Sequence, residues 1–335
     1  MASAPSPLIR SLPKAELHLH LEGSIEPATL LELRRRHGKE STLADAEQLY
    51  RYEDFTGFLM AFKTVTGDLQ TPDDYELITY RLMETLKTDN VLHAEVYVSV
   101  GVNLWRKQDF DAIFEGLERG RARGERDFGV SLLWIFDAVR QFGPDAAGAV
   151  FETAVRFRDR NVVAVGIGGD EHKGPPELFR DVYAFAADHG LRLTAHAGEN
   201  AGPESIWGAL NLKAERIGHG LTARQDAELI EELSFRQVPI EICLTSNLLT
   251  GCCGNLQEHP VRNYFDRGLM ITLNTDDPAM FSTSLNREYQ LTQDSFGFTD
   301  EHLRELARNS FEASFLPGDK KVQFLNLFDA VAARS

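Results

Sequence analysis

Eight short runs of β-branched and apolar residues recur along this chain, most of them separated by charged segments whose apolar residues fall at helical spacing. The runs are Glu16–Leu21, Val91–Ser99, Ser131–Asp137, Val162–Ile167, Arg192–His196, Glu215–His219, Ile240–Thr245 and Met270–Asn274. Strand alternating with helix predicts parallel pairing, because parallel strands need helical crossovers and are buried on both faces. Eight such units predict an α/β fold closed into a (β/α)8 TIM barrel. No repeat, low-complexity tract or Pro/Gly-rich linker divides the chain, so residues 1–335 read as one domain. The connection after the first strand, about residues 28–90, is long and carries Tyr52, Phe55, Phe58, Leu59 and Phe62. It predicts a helical insertion that lids the barrel. The tail from Ala313 to Ser335 predicts a closing helix that packs.

Charge narrows the partner. The chain has 51 acidic against 35 basic residues, a net charge of −16. Such a surface repels phosphate backbones and anionic lipid, and no local basic patch offsets it, which excludes nucleic-acid and membrane-surface binding and favours a small molecule. The N-terminal residues hold no apolar signal core, and no apolar run approaches the roughly 18 residues of a membrane span. Three cysteines, Cys243, Cys252 and Cys253, are too few for a disulfide framework. A reducing cytoplasm is the expected setting, with the cysteines as bystanders. Nothing in the sequence speaks to oligomeric state.

The polar clusters sit at strand C-termini. His18-Leu19-His20-Leu21-Glu22-Gly23 ends the first strand, and residues two apart share a face, so His18, His20 and Glu22 are expected to point inward while Leu17, Leu19 and Leu21 face the helices. Thr194-Ala195-His196-Ala197-Gly198-Glu199 ends the fifth strand, Arg216-Ile217-Gly218-His219-Gly220 the sixth, and Leu273-Asn274-Thr275-Asp276-Asp277-Pro278 the eighth. In a barrel those ends build the active site, so clusters far apart in sequence converge. Three imidazoles and one carboxylate without a thiolate favour a zinc-like divalent ion, with iron or manganese as alternatives. His18, His20, His196 and Asp276 are the expected ligands.

Glu199 stands where a proton carrier beside the ion must be; a helix N-terminal glutamate favoured by the macrodipole is the plainer reading. His219, between two glycines, is expected to orient and polarise an attacking hydroxide; the alternative is a hydrogen-bonded core histidine. Asp277 is free to read the ligand while Asp276 holds the ion. Ser246 is a candidate partner for Asp276, and His93 a candidate for the core or for supporting a ligand. His37, His172, His189, His259 and His302 read as solvated or capping residues.

These ordered motifs, with Pro13-Lys14-Ala15-Glu16-Leu17-His18-Leu19-His20 at their head, resemble the adenosine deaminase family over essentially the whole chain. The resemblance implies a hydrolase of cyclic-amidine C–N bonds: a zinc-dependent barrel that replaces the 6-amino group of a purine nucleoside by oxygen, using water and releasing ammonia. It implies that Glu199 protonates purine N1, that His219 assists the hydroxide, that Asp277 contacts N7 and that the Gly169 backbone contacts N3. The segment Phe55-Thr56-Gly57-Phe58-Leu59-Met60-Ala61-Phe62 resembles the family's apolar lid, with Phe58, Leu59 and Phe62 lining the pocket; as core residues they would look the same. Adenosine-specific members carry Asp where this chain has Glu22, a position linked to the ribose 5′-hydroxyl, and many relatives carry Asp at the position of Gly166. Gly218 and Thr275 stand where adenine-specific relatives show Asp and Ser, which favours a nucleoside over a free base. An adenosine-type nucleoside is therefore expected first, and a 5′-modified one such as aminodeoxyfutalosine or methylthioadenosine second.

Overall fold

A computed structural model of the chain describes residues 3–52 and 55–332. Eight parallel strands, β1 (Lys14–His20), β2 (Val91–Val98), β3 (Ser131–Val139), β4 (Val162–Gly168), β5 (Arg192–Ala197), β6 (Arg216–His219), β7 (Ile240–Ile242) and β8 (Ile271–Leu273), pair in sequential order. The ring closes between β8 and β1, where Asp276 N donates to His18 O at 3.1 Å and His20 N to Asp276 O at 2.8 Å. The Asn274 side chain extends that seam, its Oδ1 accepting from the backbone of Leu17 and His18. The fold is the (β/α)8 barrel expected from the alternation of runs. Each observed strand lies within about two residues of its run, except that β7 stops at Ile242 and a short helix, Leu244–Leu249, starts where strand was expected to continue.

Strand alternation sorts the core into two layers. Leu17, Leu19, Val96, Trp134, Phe136, Val165, Ile167, Ile217, Ile240 and Leu273 face the helices and form the main apolar core. The lumen holds a separate small apolar cluster of Tyr97, Ile135, Ala164 and Phe315. Phe315 follows the helix Asp300–Glu312 and plugs the N-terminal end, with the Arg216 guanidinium 3.8 Å over its ring. The closing helix of the tail spans Gly318–Ala332.

Between β1 and β2 the described residues form helices Pro27–Arg36, Leu43–Gln48, Phe55–Thr66 and Pro72–Thr88. The last of these is the β1–β2 crossover. It lies against helix Phe110–Phe128 so closely that a Cβ on Gly116 would meet Pro72 O at 1.9 Å, and one on Gly120 would meet Glu76 O at 2.6 Å. Helix Phe55–Thr66 instead leans over the mouth: Phe58 stacks on Phe281 at 5.0 Å, and Tyr52 Oη donates to Met280 O, both in the loop after β8. Phe58 is buried, Phe62 half-buried and Leu59 exposed, while the side chains of Phe55 and Thr56 lie outside the described residues. Among the described residues no helix is long and apolar enough to cross a membrane.

Candidate active site

At the C-terminal mouth, ligand atoms of His18 and His20 from β1, His196 from β5 and Asp276 from the end of β8 all lie within 4.8 Å of one another. His20 Nε2 is 3.2 Å from both His196 Nε2 and Asp276 Oδ1, and His18 Nε2 is 3.5 Å from the same carboxylate oxygen. Two imidazoles are turned there from behind. His18 Nδ1 donates to Glu241 Oε2 at 2.7 Å, and His196 Nδ1 donates to Ile167 O at 3.1 Å, which leaves each Nε2 lone pair aimed at one point. His18 Nε2 is buried and has no hydrogen-bond partner. Converging imidazole lone pairs beside a carboxylate are the donor set of a borderline divalent cation, and the residues present fit one.

Backbone strain fixes the ends of β6 and β8. His219 (φ 64°) and Asp276 (φ 65°) both occupy the left-handed region, which costs non-glycine residues on the order of 1–3 kcal/mol. The strand-closing hydrogen bonds hold Asp276 there, and Ser246 Oγ donates to its Oδ2 at 2.6 Å, the partnership anticipated for Ser246. Two glycines make room. A Cβ on Gly218 would come 2.7 Å from His18 Cε1, and one on Gly23 would come 1.8 Å from Asp277 Oδ1.

Around the ligand atoms stand groups whose burial disfavours charge. Burial, with the negative charges of Asp276 and Glu171, pushes the Glu199 carboxyl up to about 8. Burial and Asp276 likewise push Asp277 to about 8, and its Oδ1 has no hydrogen-bond partner. His219 Nε2 lies 3.8 Å from Glu199 Oε2, and burial lowers the imidazole to about 4. Gly169, the residue after β4, has a positive-φ conformation (100°) and lies against the Gln141 side chain. Glu22 lies in a 3-10 turn (Glu22–Ser24), so strand parity stops at His20. Its side chain is nevertheless buried, with Oε1 accepting from Ser99 N at 3.0 Å and Oε2 unpartnered.

Several residues of this mouth escaped the motif reading. Glu171 accepts from the backbone N–H groups of Gly198, Glu199 and Asn200 at 2.8–2.9 Å and so clamps the loop that carries Glu199. Arg140 donates to Gly174 O and to His196 O, tying the ends of β3, β4 and β5 together. Asp137 on β3 faces the lumen opposite Gly166 and Gly168; its Oδ1 is unpartnered, and burial raises it to about 6 despite His20 and His18 nearby. His259 is 5% exposed and hydrogen-bonded on both ring nitrogens, so the expectation of a solvated or capping histidine fails: the loop folds inward behind His219. Strand alternation would have found Asp137 and Glu241; nothing local in sequence marks Glu171 or His259. Cys252 Sγ lies 3.9 Å from Glu199 Oε1.

Comparison with known proteins follows the same lines. An aminodeoxyfutalosine deaminase of Streptomyces avermitilis is 37% identical over 331 residues, 97% of this chain and 92% of that protein. The crystal structure of an adenine deaminase from Arthrobacter aurescens superposes with a TM-score of 0.90 at 29% identity, covering 96% of this chain and 99% of that one. An amidohydrolase from Burkhoderia ambifaria, solved with bound Zn, gives a TM-score of 0.89 at 28% identity over 98% and 93% of the two chains. The adenosine deaminase profile matches residues 13–331, and the chain belongs to the adenosine deaminase family.

Proposed function

We propose that this protein is a zinc-dependent hydrolase that removes the 6-amino group of an adenine nucleoside, giving the 6-oxopurine and ammonia. The observation that carries the reading is the meeting of four ligand atoms with Glu199 at one barrel mouth. A divalent ion held by His18, His20, His196 and Asp276 supplies the positive charge that makes hydroxide available near neutral pH.

The chain's own residues do the rest. Glu199, raised to about 8, keeps its proton at neutral pH and gives it to purine N1, which makes C6 electrophilic. Hydroxide adds to C6. The ionised Glu199 then takes the proton of the new hydroxyl and hands it to the amine, which leaves as ammonia while N1 keeps its proton. Asp277, whose Oδ1 is buried and without a hydrogen-bond partner, hydrogen-bonds N7, and the Gly169 backbone meets N3. His219 directs the attacking oxygen. Phe58 and Phe62, with Leu59 at the outer edge, close over the base and thin the water around it.

Glu22 and Asp137 bring two further carboxylates to the sugar end. Each can accept a hydroxyl hydrogen bond, and neither supplies the cation that a phosphate or carboxylate would need in a dry pocket. An adenosine-type nucleoside therefore ranks first and AMP last. The relationship to the Streptomyces avermitilis protein favours a second reading, a 5′-extended adenine nucleoside of the aminodeoxyfutalosine kind. A kinetic panel of adenine, adenosine, 2′-deoxyadenosine, methylthioadenosine, aminodeoxyfutalosine and AMP, followed by ultraviolet absorbance and ammonia release, tests both. Highest kcat/KM on adenosine or deoxyadenosine is expected, with Glu22→Gln narrowing the gap to AMP. A tenfold preference for aminodeoxyfutalosine overturns the ranking in favour of the second reading, and no ammonia from any member overturns the function.

A further inference from the structure

Behind His219 runs a chain of hydrogen bonds whose direction is set at its far end. Val261 opens the helix Val261–Asp266, where a backbone N–H has no carbonyl of its own helix to bond. That N–H, which can only donate, points at His259 Nδ1 at 3.2 Å. Nδ1 must therefore offer its lone pair, and the proton of the neutral His259 ring sits on Nε2. His259 Nε2 faces Asn247 Oδ1 at 3.2 Å, so His259 donates and the Asn247 oxygen accepts. The other end of the Asn247 amide is then its NH2 group, which lies 3.0 Å from His219 Nδ1 and donates to it. All three side chains are nine-tenths or more buried, which leaves little solvent to supply alternative partners. Burial, with Arg224 adding to the effect, also holds the His259 ring neutral by lowering it to about 3, and an amide N–H donated to His219 Nδ1 requires that nitrogen to be bare.

We propose that Asn247 and His259 are positioning residues that lock His219 in its Nε2–H tautomer, so that His219 serves the reaction as a hydrogen-bond donor and not as its base. The only lone pair of the neutral ring is on Nδ1 and is engaged by Asn247. His219 thus turns an N–H towards the oxygen that attacks C6, and the proton traffic falls to Glu199, whose Oε2 is 3.8 Å away. The polarity of the chain is the whole device: an acceptor in place of the Asn247 amide group would pull the proton to Nδ1 and turn a lone pair towards the site.

This inference rests on the proposed function for its catalytic meaning, but the tautomer can be read without any substrate. The test is nitrogen NMR on zinc-loaded protein labelled with 15N-histidine, the His219 signals being assigned by their loss in His219→Gln. Expected is a protonated Nε2 and a bare Nδ1 on His219, with the same pattern on His259. A protonated Nδ1 on His219 in the wild type overturns the proposal, whatever the enzyme deaminates. Asn247→Asp, nearly isosteric, is then expected to invert the His219 pattern. It should lower kcat at least about 100-fold, since a reversed tautomer has cost up to about 10⁴ in the best-measured triad, while KM stays within about threefold. If Asn247→Asp fails to fold, His259→Phe and His259→Gln replace it. Phe is expected to scramble the tautomer and lower kcat, and Gln, which still donates to Asn247 Oδ1, to restore both. Full kcat with an inverted tautomer overturns the catalytic part.

Discussion

The two ends of the barrel lumen are built from the same residue types and treat them oppositely. At the floor, Arg216 on β6 reaches Glu95 on β2 and, at 2.6 Å, Glu241 on β7, while His93 bonds Glu95 at 3.2 Å. At the mouth, Glu22, Asp137 and Asp277 each keep one buried carboxylate oxygen with no hydrogen bond and, among the described residues, no ion-pair partner, whereas Glu241 Oε1 at the floor, also without a hydrogen bond, faces the Arg216 guanidinium. Burial desolvates both sets and by itself raises every carboxyl. At the floor Arg216 and His93 outweigh it and hold Glu95 down at about 2, whereas at the mouth Asp277 rises to about 8. Floor charge is completed by folding, and mouth charge is left for a cation and a substrate. On the proposed function, the same chemistry stabilises at one end and serves the reaction at the other.

Substitutions break this contrast in a definite order. Asp276→Ala removes the carboxylate that faces all the ligand imidazoles. We expect metal content to fall below one per chain and kcat/KM to drop by at least roughly 10⁴, the loss of several kcal/mol of charge stabilisation, read by ammonia release after exhaustive dialysis. Glu199→Gln should keep metal and fold yet lower kcat by roughly 10² to 10⁴, measured under saturating substrate. Unchanged turnover removes Glu199 from the mechanism.

At the floor the readout changes from rate to stability. Arg216→Met strands two buried carboxylates and should cost about 3–5 kcal/mol in urea unfolding. A loss under 1 kcal/mol contradicts the pairing. Glu95 sharpens the same point through pH. Its folded pKa is lowered from 4.5 to about 2, so its contribution is complete above pH 4.5 and is lost as pH falls towards 2, on the order of 3 kcal/mol in all. Urea unfolding at pH 5 and pH 3 should show Glu95→Gln losing less stability than wild type on that step. The smallest effect belongs to the mouth: Glu22, whose carboxyl is raised by burial, contributes no charge-based stability at pH 7, and Glu22→Gln should unfold within about 0.5 kcal/mol of wild type or slightly later.

Much of this contrast was legible in the sequence because period-2 alternation carries both faces of a strand. His18 and His20 two apart, and Leu17 and Leu19 between them, announce an inward imidazole pair and an outward apolar face. Four polar motifs at strand ends then point to one mouth, where the structure gathers His18, His20, His196 and Asp276. What alternation cannot show is which partner crosses the lumen. Arg216, Glu95 and Glu241 lie far apart in sequence, and only barrel closure brings them together. His259 and Glu171 sit on loops, where no period applies; both look like surface residues until the loop folds inward. Glu22 marks the limit of the method, because the strand ends two residues before it.

The claim that the mouth is built to be completed by a cation has one direct measurement: elemental analysis of the purified chain after loading with zinc and removal of free metal, alongside Asp276→Ala treated identically. The account predicts one zinc per wild-type chain and markedly less in the variant, with ammonia release from adenosine tracking the bound metal. Wild-type protein that deaminates at full rate with far less than one divalent ion per chain would contradict it.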